Sequence, residues 1–418
     1  MSLLRIGLCF LIAGSVFALG GVEVWGVSPI EMGAAALFVL WAVTVALKPD
    51  GQIHWSALNW PLLGFLAIGV FQLAFHATAY PFLTRVQLLK LAAYFLVFFL
   101  ATQAFRTRDE LTAVAWFLIV LCFAVSLFGI IQHFTSVREI YWSEALKTEG
   151  DPFGPYVNRN HFAGFVELTL PLGVAMMIFR GVHRDVLPLT VLMTIVPVSA
   201  LVLSGSRGGI IGFAFEIGIL ALLARSRRAS WKSPRVIAAG VVALMALAMV
   251  AWVGANAAIA KFSELKSPEV TLGRRISMAR GAAHIFLDHP IIGCGVGTLV
   301  DVFPRYETAY DGKLVDHVHN DYMETLAETG VLGGMCGAIF LWLLYREARR
   351  NLEAEQGHFS RALHAGAMAA VGGMLLHSLV DFNLQIPANA MLFLLQASLV
   401  TAPPASSTSQ GRRRAEAG

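Results

Sequence analysis

The sequence is dominated by apolar runs that are each about as long as a bilayer is thick. Of its 418 residues, 57% are hydrophobic and only 14% are charged, which is more apolar surface than a soluble core of this size could bury. An α-helix needs roughly 20 residues to cross the hydrocarbon layer, and a backbone in lipid must satisfy its own hydrogen bonds. The runs therefore predict an all-α polytopic membrane protein.

About twelve membrane-spanning helices are predicted from the positions of these runs. They cover residues 3–20, 28–47, 60–75, 86–103, 111–131, 161–179, 186–204, 208–224, 236–259, 330–345, 362–379 and 387–402. A long loop at about 260–329, expected to be partly helical, separates spans 9 and 10. The predicted organisation is a single transmembrane domain over residues 1–402, followed by a disordered cytoplasmic tail at 403–418.

The distribution of basic residues predicts which ends of the spans face the cytoplasm. If the N-terminus is cytoplasmic, more than half of the 31 basic residues fall in cytoplasmic segments. The positive-inside bias then places both termini in the cytoplasm and puts the two long loops, about 132–160 and 260–329, outside. Residues 1–20 are interpreted as a retained signal-anchor span. The four cysteines form no CxxC pair, so neither a disulfide framework nor a thiolate metal site is predicted.

The densest group of polar side chains in this apolar chain is the stretch 316–324, in the second outer loop. It holds two histidines, three carboxylates and an amide. We predict that a short helix follows, capped by Asp321 and Glu324 and ended by Gly330. His319 would then precede the N-terminus of this helix, where the macrodipole disfavours an imidazolium. A neutral imidazole at that position could accept a proton.

Arginines occur at predicted outer positions, against the positive-inside bias. Arg207 follows a Ser-Gly-Ser turn between spans 7 and 8, and the flanking glycines would let a ligand approach the backbone. In the second outer loop, a helix from Thr271 to about Leu287 is predicted. The arginines near its start are Arg274, Arg275 and Arg280, and its predicted apolar face is Ile276, Ala279, Ala283, Phe286 and Leu287.

Other polar residues lie at the start of span 6 and within spans 6 and 8. The first outer loop ends in Arg159, Asn160 and His161, where side chains and free backbone N–H groups could bind an anion. Helix capping with interfacial anchoring explains these residues equally well. Glu167 and Glu216 are predicted to face the bundle interior, because a carboxylate is costly in lipid.

The predicted topology places Arg207, the loop arginines, His319 and Asp381 on one side of the membrane. For Asp381, which follows span 11, helix capping is the default interpretation. Guanidinium groups match phosphate oxygens and stay charged, and a histidine with its ordinary pKa of ~6.5 is a competent base. The combination suits a reaction in which a hydroxyl loses a proton while a diphosphate departs.

Three features of the sequence resemble the O-antigen ligase and polymerase superfamily. The first is the pair His319-Asn320, followed after nine residues by Gly330 and after two more by Gly333. The second is the Ser-Gly-Ser-Arg turn after a span. The third is a Gly-Arg-Arg helix that leads to the Asp-His-Pro-Ile-Ile-Gly segment at 288–293. The resemblance covers about residues 155–400.

This resemblance implies a metal-independent glycosyltransferase of the GT-C type that uses no cofactor. The implied donor is a glycan on undecaprenyl diphosphate, and the implied acceptor is lipid A-core or another sugar hydroxyl. Membrane lipid is an expected partner and nucleic acid is not. The implied location is the bacterial inner membrane, with a periplasmic active site. Inversion at the anomeric carbon is expected, because a single direct attack needs no covalent intermediate.

The resemblance also implies roles for individual residues. His319 would be the base, and Arg207 and one arginine of the loop helix would hold the diphosphate. Alignment on the Pro-x-x-Gly turn selects Arg275, but Ala279 stands where the family usually has a tryptophan. The choice therefore stays open among Arg274, Arg275 and Arg280. Further candidates for substrate binding are His317, Asn320, Arg159, Asn160 and Asp381.

Several alternatives fit parts of the same sequence. A repeat-unit polymerase and a protein O-oligosaccharyltransferase share the implied chemistry. The spacing His317-x-His319-x-Asp321 suits zinc, although no DxD motif occurs and the nearby arginines would repel a cation. A secondary transporter would show two similar halves, which this sequence lacks. The glycines at 293–297 match a nucleotide loop only superficially, since no βαβ unit surrounds them.

Overall fold

The computed structural model describes residues 1–48, 52–136, 139–143, 151–225, 240, 272–308, 312, 314–354 and 357–404. Over these ranges the chain forms α-helices, short 3₁₀ turns and no β-strand. The predicted ninth span, apart from Gly240, lies outside the described residues, and so do Thr271 and the predicted tail after residue 404. The prediction of an all-helical chain is confirmed for the part described.

The helices run in chain order from one end of the sequence to the other. They are α1 (Ser2–Phe17), α2 (Val24–Ala46), α3 (Asn59–Ala74), α4 (Pro81–Ala104), α5 (Arg108–Thr135), α6 (Arg159–Ile178), α7 (Leu187–Ser204), α8 (Arg207–Arg225), α9 (Leu272–Asp288), α10 (Leu299–Val302), α11 (Asp321–Glu353), α12 (His358–His377) and α13 (Pro387–Thr401).

The protein is a membrane protein by the length and apolarity of these helices. Seven segments of the described chain meet both criteria for crossing a bilayer, namely α2, α4, α5, α6, Arg184–Ser204 including α7, α8 and α11. Three further apolar helices, α1, α3 and α13, are shorter. The total of about twelve spans stays a prediction.

Helix α6 forms the centre of the bundle. Every residue from His161 to Met177 is buried, because α5, α7, α8, α12 and α13 pack around it. A helix that is apolar on all sides belongs in such a position. Small residues on α12 let its backbone approach closely, so that a Cβ on Gly366 would stand 2.8 Å from the Cα of Leu172. His161, in the first turn of α6, is thereby held inside the protein.

Helix α11 differs from the prediction at both ends of its first segment. The short helix predicted to end at Gly330 continues into the next span, and a kink at Gly330 (φ 62°, ψ −161°) joins the two parts. Only glycine adopts this conformation readily, and a Cβ there would also clash with the backbone of Ile291. The N-cap is Asn320 and not Asp321, since the Asn320 side chain accepts the N–H of Met323.

Helix α9 lies where the loop helix is predicted, but the prediction of its buried face is wrong. Ile276 and Leu287 are 45% and 66% exposed, whereas Met278, Ala282 and Ile285 are buried. These three residues, spaced at i, i+4 and i+7, pack in one apolar cluster with residues of the 315–318 segment and of α11. The surface that α9 packs against determines which face of the helix is buried. The sequence of the helix alone does not show this.

The glycine-rich segment at 293–297 is a loop packed between helices. The amide of Gln72, on α3, donates to the carbonyls of Ile292 and Glu328 and accepts the N–H of Val296. A Cβ on Gly293 would clash with the backbone of Glu328. The loop is therefore fastened between α3 and the kinked part of α11.

Candidate active site

The centre of the candidate site is a hydrogen-bonded pair of His319 and Asp381. His319 precedes α11, Asp381 lies in the link between α12 and α13, and Nδ1 of His319 is 3.1 Å from Oδ1 of Asp381. The carboxylate is 1% exposed and also accepts the N–H of Phe382. Burial alone would raise the pKa of Asp381, but the hydrogen bond from His319 and nearby imidazolium charges hold it well below its ordinary value.

This pair fixes the chemistry that His319 can perform. With Nδ1–H donated to the carboxylate, the lone pair of the neutral imidazole is on Nε2. Nε2 has no hydrogen-bond partner within the described chain, and 14% of the side chain is exposed. The arrangement is that of a histidine base oriented by a carboxylate.

The start of α11, directly after His319, is attached to the α12–α13 link. The Asn320 side chain caps α11 and also donates from Nδ2 to the carbonyl of Leu379, and the N–H of Asp321 donates to the carbonyl of Ser378. His319 itself has a left-handed backbone (φ 51°), which costs energy for a non-glycine residue. These bonds hold the strained residue against Asp381. Both polar groups of the Asn320 side chain are thus used in positioning.

The aromatic ring of Phe382, next to Asp381, contacts the imidazole rings of three histidines. The ring of Phe382 stacks on His317 with centroids 4.5 Å apart, and it meets the edges of His161 and His319 at 4.7 and 4.8 Å. Phe382 is 8% exposed. Because it follows Asp381 directly, one short link orients the carboxylate and the imidazoles together.

His317 has a different partner from His319. Its Nδ1 lies 2.6 Å from Oε1 of Glu324, and the other oxygen of that carboxylate accepts the N–H of Val318. Burial alone would lower the pKa of His317, but the charge and the hydrogen bond of Glu324 raise it to about 9. His317 is therefore an imidazolium at neutral pH and cannot act as a second base.

His161, which the sequence indicated only as part of a possible anion-binding group, lies beside Asp381. Its Nε2 is buried without a hydrogen-bond partner, 4.0 Å from Oδ1 of Asp381. The carbonyl of His161 accepts a hydrogen bond from Asn389, which fixes the start of α6 against α13. The structure thus places a second imidazole beside the carboxylate of Asp381.

A third histidine–carboxylate pair is fully buried in the bundle. Nδ1 of His377 is 2.7 Å from Oε2 of Glu167, and both side chains are at most 1% exposed. Glu216 is also fully buried. The prediction that Glu167 and Glu216 face the interior is therefore confirmed. The sequence had not indicated His377 as the partner.

Arg207 begins α8 within reach of this cluster. It is exposed, and the next residue, Gly208, lies against His377: a Cβ on Gly208 would stand 2.5 Å from Nε2 of the imidazole. The N–H of Asp381 in turn donates to the carbonyl of His377. Arg207 and His319 are therefore on the same face of the bundle, as predicted.

Arg159 and Asn160 lie in the first turn of α6, beside the turn at Gly205 that leads into Arg207. Nη1 of Arg159 is 3.4 Å from Oδ2 of Asp151, with 25% of the arginine side chain exposed. A Cβ on Gly205 would stand 3.6 Å from that Nη1. Arg159 thus lies next to the turn that leads into Arg207, and Asn160 is half-buried beside it.

The arginines of α9 are placed less directly. Arg274 and Arg275 precede the buried Met278 by one helical turn, and Met278 packs in the same apolar cluster as Val318. No hydrogen bond or ion pair in the described chain joins Arg275 to His319. The structure therefore brings α9 to the loop that carries His319.

The residues of the possible zinc motif diverge. The two imidazoles are bound to Glu324 and Asp381 respectively, and Oδ2 of Asp321 accepts the N–H of Leu384. In the residues that the structure describes, no group of three His, Cys, Asp or Glu side chains is arranged to hold a metal ion.

A comparison with protein families identifies part of the chain. Residues 191–338 match the family model described as O-antigen ligase, which confirms the resemblance to this superfamily. The match includes Arg207, the α9 arginines and His319, whereas Asp381 lies outside it. A comparison with curated proteins finds no match. The family supports a glycosyltransferase of the ligase or polymerase type, with a lipid-linked glycan and a sugar acceptor as its general substrates.

Proposed function

From the O-antigen ligase match at residues 191–338, we propose that this protein transfers a glycan from undecaprenyl diphosphate to an acceptor hydroxyl, with ligation of O-antigen to lipid A-core as the reaction. We place the site on the periplasmic side of the bacterial inner membrane. The observation that carries the proposal is the His319–Asp381 pair, which leaves Nε2 of His319 free to take a proton.

In the proposed reaction, Nε2 of His319 removes the proton of the acceptor hydroxyl as the oxygen attacks the anomeric carbon. The new glycosidic bond forms while the bond from that carbon to the diphosphate oxygen breaks, and the electron pair leaves with undecaprenyl diphosphate. The imidazolium formed on His319 is stabilised by the buried carboxylate of Asp381. The proton is then released to water when the product leaves.

The departing diphosphate gains negative charge. Side chains that stay positively charged are needed to stabilise it. We propose that Arg207 and one of the α9 arginines, with Arg275 as the first candidate, supply guanidinium groups to its oxygens. Arg159 lies beside the turn before Arg207 and is proposed to contact the glycan or the diphosphate from the α6 side. His317, an imidazolium held by Glu324, adds positive charge to the same face.

The interactions of the carboxylates near His319 support direct displacement at the anomeric carbon. Asp381 and Glu324 are bound to imidazoles, and Asp321 accepts a backbone N–H. Because these carboxylates are engaged, we propose a single inverting step that passes through no glycosyl-enzyme intermediate.

The test is a transfer assay with purified full-length protein, undecaprenyl-diphosphate glycan and lipid A-core, run with and without EDTA. Transfer should persist in EDTA and should fall about 10³-fold in His319→Ala. The matched control is His183→Ala, an exposed histidine paired with Asp185, which should transfer at the normal rate. A requirement for added Zn²⁺ would contradict the metal-independent step. Glycans that lengthen on the carrier lipid, with lipid A-core unmodified, would reassign the protein as a polymerase.

A further inference from the structure

A polar cavity of about 300 Å³ lies at the opposite end of the bundle from His319. Helices α4, α11 and α13 begin at the His319 face, and their last turns reach this cavity, which residues of the link between α2 and α3 close from the side. It is thus a separate site on the other membrane face.

Positive charge dominates the lining of this cavity. Arg106 and Arg350 line it together with His54, and Glu347 is the only carboxylate among the described lining residues. Glu347 is already shared between Arg346, at 3.3 Å, and Arg350, at 3.4 Å. The cavity therefore has an excess of cationic groups.

Arg106 is the cation with the fewest partners. The nearest acid along the chain, Glu110, binds Arg5 at 3.2 Å and accepts the backbone N–H groups of Arg106 and Thr107. In the described chain the half-buried guanidinium of Arg106 makes no ion pair. The charge of Glu110 acts on this guanidinium without a direct ion pair, so the cost of its burial is only partly offset and binding of an external anion would be favourable.

The wall opposite Arg106 is held in a fixed position. The side-chain amide of Gln103 accepts the N–H of His54 and donates to its carbonyl. Ser56, next along the wall, accepts the N–H of Leu58 on its hydroxyl oxygen and keeps its proton available. Burial, and then the charge of Arg106, lower the pKa of His54, which leaves a neutral imidazole that can donate one hydrogen bond.

Aromatic residues set the depth of the cavity in the membrane. Trp55 lines it and meets Trp60 with ring centroids 5.4 Å apart, and Trp342 lies under the guanidinium of Arg346 at 5.2 Å. Tryptophans concentrate at the level of the lipid head groups, and basic pockets between helices at that level suit anionic head groups.

We propose that this cavity is a binding site for a phosphate group, with Arg106 as its main ligand and Arg350, His54 and Ser56 as supporting donors. A guanidinium fork matches two phosphate oxygens, and the remaining donors come from two other elements of the chain, α11 and the link between α2 and α3. The phosphate belongs either to an anionic phospholipid or to a free phosphate compound in solution.

The experiment titrates the full-length protein, in detergent, with three probes: phosphatidylglycerol, phosphatidylcholine and inorganic phosphate. Thermal unfolding and native mass spectrometry report binding. We expect phosphatidylglycerol or inorganic phosphate to raise the Tm, and Arg106→Gln to bind that probe about tenfold more weakly. A response to phosphatidylglycerol alone assigns a lipid head group, and a response to inorganic phosphate assigns the free ion.

The matched control is Arg349→Gln, which removes the same charge from an exposed arginine of α11 that is paired with Glu353 and does not line the cavity. It should bind like the unaltered protein. Arg106→Lys, which keeps the charge, should recover part of the affinity and serves if the glutamine variant fails to fold. Equal binding of phosphatidylglycerol and phosphatidylcholine with no response to phosphate, or unchanged affinity in Arg106→Gln, would overturn the proposal.

Discussion

The two faces of the bundle carry opposite charge arrangements. At the face of His319, the buried imidazoles are matched to carboxylates: His319 to Asp381, His317 to Glu324 and His377 to Glu167. At the other face, a half-buried Arg106 lines a cavity and has no carboxylate partner in the described chain.

This difference indicates two different tasks. A carboxylate that holds one nitrogen of an imidazole fixes its tautomer and leaves the other nitrogen for proton transfer. A guanidinium cannot lose its proton, so without a partner it can only attract an anion. In the two proposals, the first face therefore moves a proton and the second holds an anion.

The largest effect is expected from a substitution that breaks the His319–Asp381 pair. Asp381→Asn keeps the shape of the side chain but removes the charge that selects the tautomer of His319, so transfer should fall about 10³-fold or more. The transfer rate at saturating donor is the measurement. Asp185→Asn, at an exposed acid paired with His183, is the control and should have no effect. A loss of less than tenfold would mean that Asp381 does not orient the base.

The next effect concerns the arginine at the start of α8. Arg207→Gln should lower transfer about 10²-fold, because one donor to the departing diphosphate is lost. Arg207→Lys should recover only part of the loss, since a lysine cannot bind two oxygens at once. Arg225→Gln, at the other end of the same helix, is the control. Equal rates for the Arg207 and Arg225 variants would remove Arg207 from the site.

A packing substitution tests the buried pair between the two faces. In Gly208→Ala the new methyl group would stand 2.5 Å from Nε2 of His377, and we expect a loss of about 1–3 kcal/mol in stability. Gly218→Ala, on the same helix, meets nothing within 4 Å and should gain roughly 0.5–1 kcal/mol. Denaturant unfolding in detergent measures both. A Gly208→Ala protein as stable as Gly218→Ala would contradict the close contact with His377.

The smallest effect is a pH dependence at His317. Because Glu324 raises the pKa of His317 from 6.5 to about 9, the stability that this pair contributes is complete below about pH 6.5 and is lost as the pH rises through 9. Thermal unfolding between pH 7 and 10 should show this decline. In Glu324→Gln the decline should be smaller, and an unchanged slope would contradict the raised pKa.

Much of the fold could be predicted because the apolar runs are long and bilayer-sized. The positions of α4 and α6 follow from such runs. The motif around His319, Gly330 and Gly333 predicted a helix end at Gly330, where the structure has a kink within α11. Gly330 proves necessary because its backbone adopts a conformation that other residues avoid and because Ile291 lies against it. The motif thus contains His319, which is proposed to act in the reaction, and Gly330, which the close packing requires.

The partners of the base could not be predicted, because they are distant along the chain. Asp381 follows His319 by 62 positions, and its default interpretation was a helix cap. His161 and His377 lie in or beside apolar helices, where a single histidine indicates a buried polar contact but not which one. The prediction for α9 was wrong for a similar reason, because packing against the segment at 315–318 determines which face of the helix is buried.

The most direct test of the central claim, that His319 takes the proton of the acceptor, is rescue of His319→Ala by imidazole added to the transfer assay. We expect the variant to be nearly inactive and to regain transfer in proportion to the neutral imidazole present, with no such response in Asp381→Asn. Transfer by His319→Ala within about tenfold of the unaltered protein would contradict the claim, because a positioned base contributes 10²-fold or more.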